Sequence, residues 1–201
     1  MVSMKIVGIS CSPRKGKSTK YALEVCFQAV KETVSDVETM LIELSETKMN
    51  GCVACGKCVK VLECSQEDDF PKMIPVLSDP ELAGLVVATP VYFGSMTSQC
   101  KAFLDRCVMF RRNGFLLRDK VGGVIAVGGV RNGGQELAIQ AVQAAMLVQD
   151  MVVVSEGRPT SHYGATLWSG HPDGIEKDAF GLETARNLGK RVAEVAARMH
   201  R

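Results

Sequence analysis

Long apolar runs are missing from this sequence, and so are basic blocks. The longest apolar stretches, such as 85–88, fall far short of the ~18 residues that span a membrane. The first residues lack the apolar stretch and cleavage site of a signal peptide. Lysine and arginine total 24 against 22 acidic residues, a net charge of +2 with interspersed signs, so nothing indicates nucleic acid or an acidic membrane as a partner. These absences favour a cytoplasmic protein.

The chain does contain enough apolar side chain for one sizeable core: 46% of its 201 residues are hydrophobic and 23% charged, which excludes intrinsic disorder. Apolar segments predict strands at 5–10, 37–44, 85–89, 121–127 and 151–155. Helical spacing predicts helices at 18–35, 69–78, 97–110, 135–148 and from 178 onward. This alternation predicts a single α/β domain over 1–201, with a parallel sheet covered on both faces. The strand order is that of either the dinucleotide-binding or the flavodoxin-like fold.

In both orders, ligands bind where loops follow the carboxyl ends of strands. The first loop (10–19) reads Ser-Cys-Ser-Pro-Arg-Lys-Gly-Lys-Ser-Thr and leads directly into a helix. Its hydroxyls and the amides of the helix N-terminus suit a phosphomonoester, although an ordinary helix cap at Ser18 is the alternative. The loop is not a P-loop, because the glycine required five residues before Gly16 is Cys11, and no Gly-x-Gly-x-x-Gly follows the strand.

Two further loops occupy the same predicted edge. The second loop (89–97) reads Thr-Pro-Val-Tyr-Phe-Gly-Ser-Met-Thr, and its aromatics either stack on a flat ligand or tuck under the next helix. The third loop (128–135) has four glycines, which let a backbone follow a ligand closely or simply turn tightly. Three such loops at one edge favour a planar, phosphorylated cofactor.

Together these motifs resemble the NADPH-dependent FMN reductase-like flavodoxin superfamily. Ser-Pro-Arg-Lys-Gly-Lys-Ser-Thr is similar to its phosphate loop, and Thr-Pro-Val-Tyr-Phe-Gly-Ser-Met with Lys-Ala-Phe-Leu-Asp-Arg (101–106) to its isoalloxazine loop and helix. The C-terminal stretch 181–191 and the cysteine cluster narrow the resemblance to the iron–sulfur flavoprotein branch. It covers nearly the whole chain.

The resemblance implies a flavodoxin-like, five-stranded sheet in the order 2-1-3-4-5 and bound FMN. No protein acid, base or nucleophile is needed, because the flavin carries the chemistry. The expected phosphate contacts are Ser10, Ser12, Arg14, Lys17, Ser18 and Thr19. The expected contacts to the ring system and ribityl chain are Pro90, Val91, Tyr92, Phe93, Gly94, Ser95 and Met96, with Gly128, Gly129 and Gly133 on the other side.

Four of the eight cysteines fall within thirteen residues, at Cys52, Cys55, Cys58 and Cys64. In a reducing compartment, such a group indicates a metal or redox role rather than disulfides. The C-x2-C-x2-C run resembles that of bacterial ferredoxins, and the nearby fourth thiol can complete one [4Fe–4S] cluster. Structural zinc usually brings two separated pairs together, so this spacing favours the cluster. An empty thiol site and a zinc site remain alternatives.

The remaining cysteines have a structural interpretation. Cys26, Cys100 and Cys107 fall on helical patterns, where a buried thiol acts as a small apolar residue. Cys11 lies in the first loop, where a helix terminus is expected to lower its pKa. A long irregular segment, 156–177, carries Tyr163 and Trp168, which either cover a flavin or a subunit interface or simply pack on the surface.

The sequence therefore predicts an FMN-dependent oxidoreductase that moves electrons from NAD(P)H or ferredoxin to an unidentified acceptor through a [4Fe–4S] cluster. The alternatives are a flavin electron carrier without a substrate of its own, a cysteine-based redox sensor, and a cluster-free NAD(P)H-dependent FMN or quinone-type reductase. Closed symmetric assembly is common among soluble chains, so a homodimer or homotetramer is expected.

Overall fold

The computed structural model describes residues 4–200. Its strands are β1 (Met4–Ser10), β2 (Val37–Glu43), β3 (Leu82–Pro90), β4 (Val121–Gly128), β5 (Val152–Val153) and β6 (Ala165–Trp168). Its α-helices are α1 (Ser18–Thr33), α2 (Ile74–Leu77), α3 (Ser98–Arg106), α4 (Val108–Arg112), α5 (Gln135–Val148) and α6 (Ala179–Met199). Short 3₁₀ turns lie at Leu44–Glu46, Lys57–Val59, Phe70–Met73 and Ile175–Lys177.

All the strands are parallel, and their order is β2-β1-β3-β4-β5, which confirms the flavodoxin-like prediction. β3 and β4 are buried almost throughout, as expected for central strands covered on both faces. The carboxyl ends of β1, β3 and β4 therefore bring the first, second and third loops to one edge.

The sheet has six strands rather than the five predicted. β5 pairs only with Val121 and Gly122, and β6 then pairs with the remaining length of β4, from Ile125 to Gly128. The segment 156–177 is thus not irregular throughout, because it contains β6 and a 3₁₀ turn. The alternating burial of β6 is the period-two signal of a strand, but four residues are too few for that pattern to stand out.

Two apolar layers cover the sheet. α1 and α6 pack on one face and on each other, around Leu23, Phe27 and Leu188. The helices approach closely at Gly189, where a Cβ atom would lie only 2.2 Å from the carbonyl oxygen of Cys26. On the other face, Phe70, Phe103 and Phe110 form the centre of the second layer. No helix within residues 4–200 is long and apolar enough to cross a membrane.

The helix predicted at 97–110 is interrupted. Thr97 caps α3, since its hydroxyl accepts a hydrogen bond from the Cys100 amide, and the helix ends at Arg106. α4 then begins at Val108. These two helices connect the second loop to the region around the four clustered cysteines.

Candidate functional site

The first loop presents polar groups that have no partner within the protein. The Ser10 hydroxyl is fully buried and makes no hydrogen bond. The N-cap position of α1 is Lys17 rather than Ser18, and no side chain caps the helix there. The first amides of a 16-residue helix therefore face an uncapped terminus, which favours an anion.

Other parts of the first loop are already engaged. The Arg14 amide donates to the Ser12 hydroxyl over 3.1 Å, which shapes the turn. Gly16, in the left-handed region, donates its amide to the carboxylate of Glu43 at the end of β2, over 2.8 Å. Thr19 is buried, whereas Arg14 and Lys17 are exposed. Glu43 is a neighbour that sequence reasoning missed, because it comes from a different strand.

The second loop forms a tight turn whose tip is aromatic. Tyr92 and Ser95 exchange both backbone hydrogen bonds, over 2.9 and 3.1 Å. Phe93 and Gly94 between them both have positive φ, as in the mirror-image turns that usually require small residues. Phe93 is fully exposed and Tyr92 half exposed, so neither ring tucks under α3. A bulky aromatic held out in this conformation suits a ligand-contacting loop.

Buried threonines fix the second loop to the first. The Thr97 amide donates to the Thr89 hydroxyl over 3.1 Å, which closes the base of the second loop. The Thr97 hydroxyl donates to the Cys11 carbonyl over 2.7 Å, which ties the second loop to the first. Val91 also donates its amide to the Val127 carbonyl of β4. The two loops are therefore held in a fixed relation before any ligand binds.

The third loop is stabilised by Gln135. Its side chain accepts from the Gly133 amide and donates to the Val130 carbonyl, each over 2.7 Å. A Cβ atom on Gly128 would lie 2.2 Å from this side chain, and one on Gly133 only 2.7 Å from Val130, so both glycines are explained by packing within the loop. Gly129 faces open space and is free to approach a ligand.

The segment 156–177 reaches the edge of the sheet that carries the third loop through β6. The Trp168 indole donates to the Gly129 carbonyl over 3.0 Å, and its ring packs against His171 and the Arg131 guanidinium. Arg131 is paired with the buried Asp178, which caps α6. Trp168 at the end of β6 thus fixes the backbone of the third loop. Tyr163 instead stays exposed beside α5, where its carbonyl accepts from Gln143.

The cysteine loop (50–65) lies between β2 and α2. Ala54 and Gly56 have positive φ and wrap the backbone. The four clustered cysteines line one pocket, and side chains of α3 and α4 complete its lining. These cysteines are Cys52, Cys55, Cys58 and Cys64. Within residues 4–200, no three His, Cys, Asp or Glu side chains form a group that could hold a metal ion as they are now positioned.

Each of these four sulfur atoms has at least one polar neighbour. The Ala54 amide donates to Cys52 over 3.4 Å, and the Ser65 hydroxyl lies 2.9 Å from Cys55. The remaining two sulfurs, of Cys58 and Cys64, accept from guanidinium groups at 3.3 and 3.2 Å. The hydrogen bond with Ser65, followed by that with the Lys57 amide, lowers the pKa of the Cys55 thiol. Such surroundings stabilise sulfur that carries negative charge.

Arg106, at the end of α3, is the buried anchor of the cysteine loop. It pairs with Asp68, donates to the Asn50 carbonyl over 3.0 Å and to Cys64, and lies over the ring of Phe70. Burial alone would raise the pKa of Asp68, but its hydrogen bonds, led by those from Arg106, keep that pKa below its usual value. Sequence reasoning missed this cluster, because its members are separated by up to 56 positions.

The other cysteines are structural. Cys11, Cys26, Cys100 and Cys107 are all buried. The expected lowering of the Cys11 pKa is wrong: burial raises the pKa well above the ordinary value, with Cys100 and Cys107 adding to the effect. Burial likewise raises the pKa of Cys26 to about 12. Thiols in such positions remain protonated and inert.

A groove of about 470 Å³ connects the second loop with the cysteine loop. It is lined by Met96 of the second loop, by Cys52 and Ala54 of the cysteine loop, and by side chains of α3, α4 and α5. A ligand held by the second loop and a group held by the cysteines would therefore border the same space.

Known proteins resemble this chain over most of its length. The family model for NADPH-dependent FMN reductase matches residues 4–166. An iron–sulfur flavoprotein of Methanocaldococcus jannaschii is 41% identical over 192 residues, which is 96% of this chain and 97% of that protein. An iron–sulfur flavoprotein of Methanosarcina thermophila is 36% identical, over 96% of this chain and 95% of that protein.

Solved structures share the fold at lower identity. RosB, whose structure contains 8-demethyl-8-formylriboflavin-5'-phosphate, superposes with a TM-score of 0.73 at 15% identity, over 98% of this chain and 80% of RosB. A WrbA-like flavodoxin from Agrobacterium tumefaciens gives a TM-score of 0.63 at 20% identity, over 98% of this chain and 99% of that chain.

Proposed function

The chain belongs to the iron–sulfur flavoprotein branch of the NADPH-dependent FMN reductase family and is an FMN-dependent oxidoreductase, and we propose that it passes electrons between NAD(P)H or ferredoxin and a further acceptor through a [4Fe–4S] cluster. The flavin, when bound, exchanges electrons either as a pair or singly. The protein supplies position, electrostatics and exclusion of water.

The first loop is the proposed phosphate site. Its orphaned, buried Ser10 hydroxyl and the uncapped N-terminus of α1 supply donors for a dianion. Ser12, Ser18 and Thr19 add hydroxyls, and Arg14 and Lys17 add positive charge at the exposed rim. The Glu43 carboxylate accepts the Gly16 amide, so it competes with the phosphate for that donor rather than assisting binding.

The second and third loops are proposed to hold the ring system. The residues from Pro90 to Met96 form a rigid turn with Tyr92 and Phe93 exposed at its tip, and Gly94 has open space around it. Gly129 offers backbone on the other side, with Trp168 fixing its carbonyl. Aromatic side chains of this kind stack well on flat rings.

The cysteine loop is proposed to hold the cluster through Cys52, Cys55, Cys58 and Cys64. The donor set fits the group: four thiols line one pocket, and each sulfur has a neighbour suited to negative charge. The observation that carries the electron route is the groove shared by Met96 and Cys52. All eight cysteines are free, in keeping with the reducing cytoplasm that we propose as the site of action.

The decisive experiment is anaerobic purification followed by a visible spectrum with iron and sulfide analysis. We expect stoichiometric FMN with four irons and four sulfides per chain. FMN without iron would leave a cluster-free reductase, and zinc in place of iron would assign the thiols a structural role. Steady oxidation of NAD(P)H identifies a nicotinamide donor, whereas electron exchange with ferredoxin alone identifies a carrier.

We also propose that one domain, 1–201, assembles as a homodimer or homotetramer. Exposed apolar side chains on α5, namely Leu137, Leu147 and Val148, lie on the same helix as Gln143, which contacts Tyr163. Light scattering should give a mass well above 21.7 kDa. Leu147→Glu should lower that mass, whereas Ser35→Glu, which adds the same charge at an exposed position after α1, should not. A monomeric wild type would end the proposal.

A further inference from the structure

Two of the four clustered sulfurs face arginine side chains that follow the second loop in sequence. Arg106 ends α3 and Arg112 ends α4. Arg106 Nη2 donates to Cys64 Sγ over 3.2 Å, and Arg112 Nη1 donates to Cys58 Sγ over 3.3 Å. The two guanidinium groups differ in whether a carboxylate neutralises their charge.

The positive charge of Arg106 is neutralised by a paired carboxylate. Its guanidinium and the Asp68 carboxylate are both almost completely buried and form a bidentate pair. The pair is nearly neutral as seen from Cys64, so its main effect is to hold the cysteine loop against α3. Removing it would leave a buried charge unpaired, which makes Arg106 a poor site for testing electrostatics.

Arg112 is different, because its side chain is exposed and it has no carboxylate partner among the described residues. No carboxylate therefore neutralises the positive charge that it brings to Cys58. The next residue, Asn113, donates its side-chain amide to the Cys58 carbonyl over 2.9 Å, which fixes this cysteine beside α4 from a second direction. The contact between Arg112 and Cys58 is consequently built into the fold at both the sulfur and the backbone.

Hydrogen bonds to the sulfurs, together with nearby charge, set the reduction potential of an iron–sulfur cluster. Reduction adds one negative charge, and a neighbouring cation stabilises the reduced form more than the oxidised form. We infer that Arg112 is a positioning residue that raises the reduction potential of the cluster held by the four cysteines, through its contact with Cys58. This inference rests on the proposed function, since it requires the cluster to be present.

The test compares Arg112→Gln with Arg111→Gln in the FMN-loaded protein purified anaerobically. Both changes remove one exposed positive charge from α4, but the Arg111 guanidinium lies over the ring of Phe115 and not on a sulfur. Cluster potentials are measured by redox titration monitored by electron paramagnetic resonance, together with iron content and the thermal midpoint.

We expect Arg112→Gln to weaken binding of the added electron about tenfold, which lowers the midpoint potential by ~59 mV. Arg111→Gln should change it less than threefold, and Arg112→Lys, which keeps the charge, should recover most of the shift. Equal shifts in the two glutamine variants, or none in either, would overturn the inference while leaving the cluster in place. A wild-type protein without iron would overturn both the cluster and this role of Arg112.

Discussion

The loops at the carboxyl edge of the sheet and the cysteine loop are held in place by different kinds of contact. The first and second loops are joined by buried, neutral hydrogen bonds through Thr89 and Thr97, directly above the central strands. The cysteine loop contributes no strand, and its main anchor is the charged pair of Arg106 and Asp68. The junction of the first and second loops should therefore be insensitive to pH, whereas the attachment of the cysteine loop should depend on it.

The sharpest way to separate the two regions is to remove one thiol. Cys55→Ser should abolish iron and sulfide binding while FMN remains stoichiometric, because serine oxygen is a poor ligand for iron in such clusters and the flavin loops do not include this residue. Cys26→Ala, at a buried thiol under α6, serves as the control and should keep both cofactors. Loss of FMN along with iron in Cys55→Ser would show that the two regions are interdependent.

Breaking the charged anchor should have the next largest effect. Asp68→Asn leaves Arg106 buried without its counterion, so the free energy of unfolding should fall by about 3 kcal/mol at neutral pH. Because the folded pKa of Asp68 is depressed, the stabilisation is present above the unfolded pKa of about 3.9 and is lost as the pH falls through the folded value.

Thermal midpoints measured from pH 7 down to pH 3 check this prediction. The wild type should lose stability on acidification more steeply than Asp68→Asn does. Parallel pH profiles for the two proteins would mean that the pair contributes little. Glu67→Gln is a suitable control, since this carboxylate precedes Asp68 in sequence but is exposed and forms no ion pair within residues 4–200.

A carboxylate placed in the first loop should disrupt the other region selectively. Ser18→Glu introduces negative charge at the uncapped start of α1, and we expect the dissociation constant for FMN to rise about 100-fold, or ~2.7 kcal/mol. Iron content should stay unchanged. Ser35→Glu, an exposed position after α1, adds the same charge as a control. Titration of FMN fluorescence measures both, and unchanged affinity in Ser18→Glu would exclude this loop as the phosphate site.

The smallest expected effect is a gain in affinity for FMN. Glu43 now accepts the Gly16 amide, so Glu43→Gln should free positive potential for the phosphate and tighten FMN binding about threefold. Glu38→Gln removes the same charge from the far end of β2 and should leave affinity unchanged. A weaker affinity in Glu43→Gln would instead mean that the carboxylate shapes the loop for its ligand.

Local sequence patterns were sufficient for the parts of this molecule that depend on local structure. Continuous apolar strands and the loops after them predicted a parallel sheet and the edge where three loops meet, and the family resemblance supplied the strand order. The pairing of Arg106 with Asp68 and the contact of Arg112 with Cys58 escaped prediction, because nothing in the sequence relates side chains 38 or 54 positions apart. β6 escaped because two glycines and a proline surround a four-residue strand. The uncapped start of α1 could not be distinguished in advance from a capped one.

The base of the cysteine loop is closed by a few short contacts. Lys48 and Asp69 exchange hydrogen bonds, and the Asn50 amide donates to Asp68, so the two ends of the loop meet beside α3. Everything between them lies outside the register of the sheet. In evolutionary terms, a segment closed at its base in this way can change in length or content without altering the pairing of the strands.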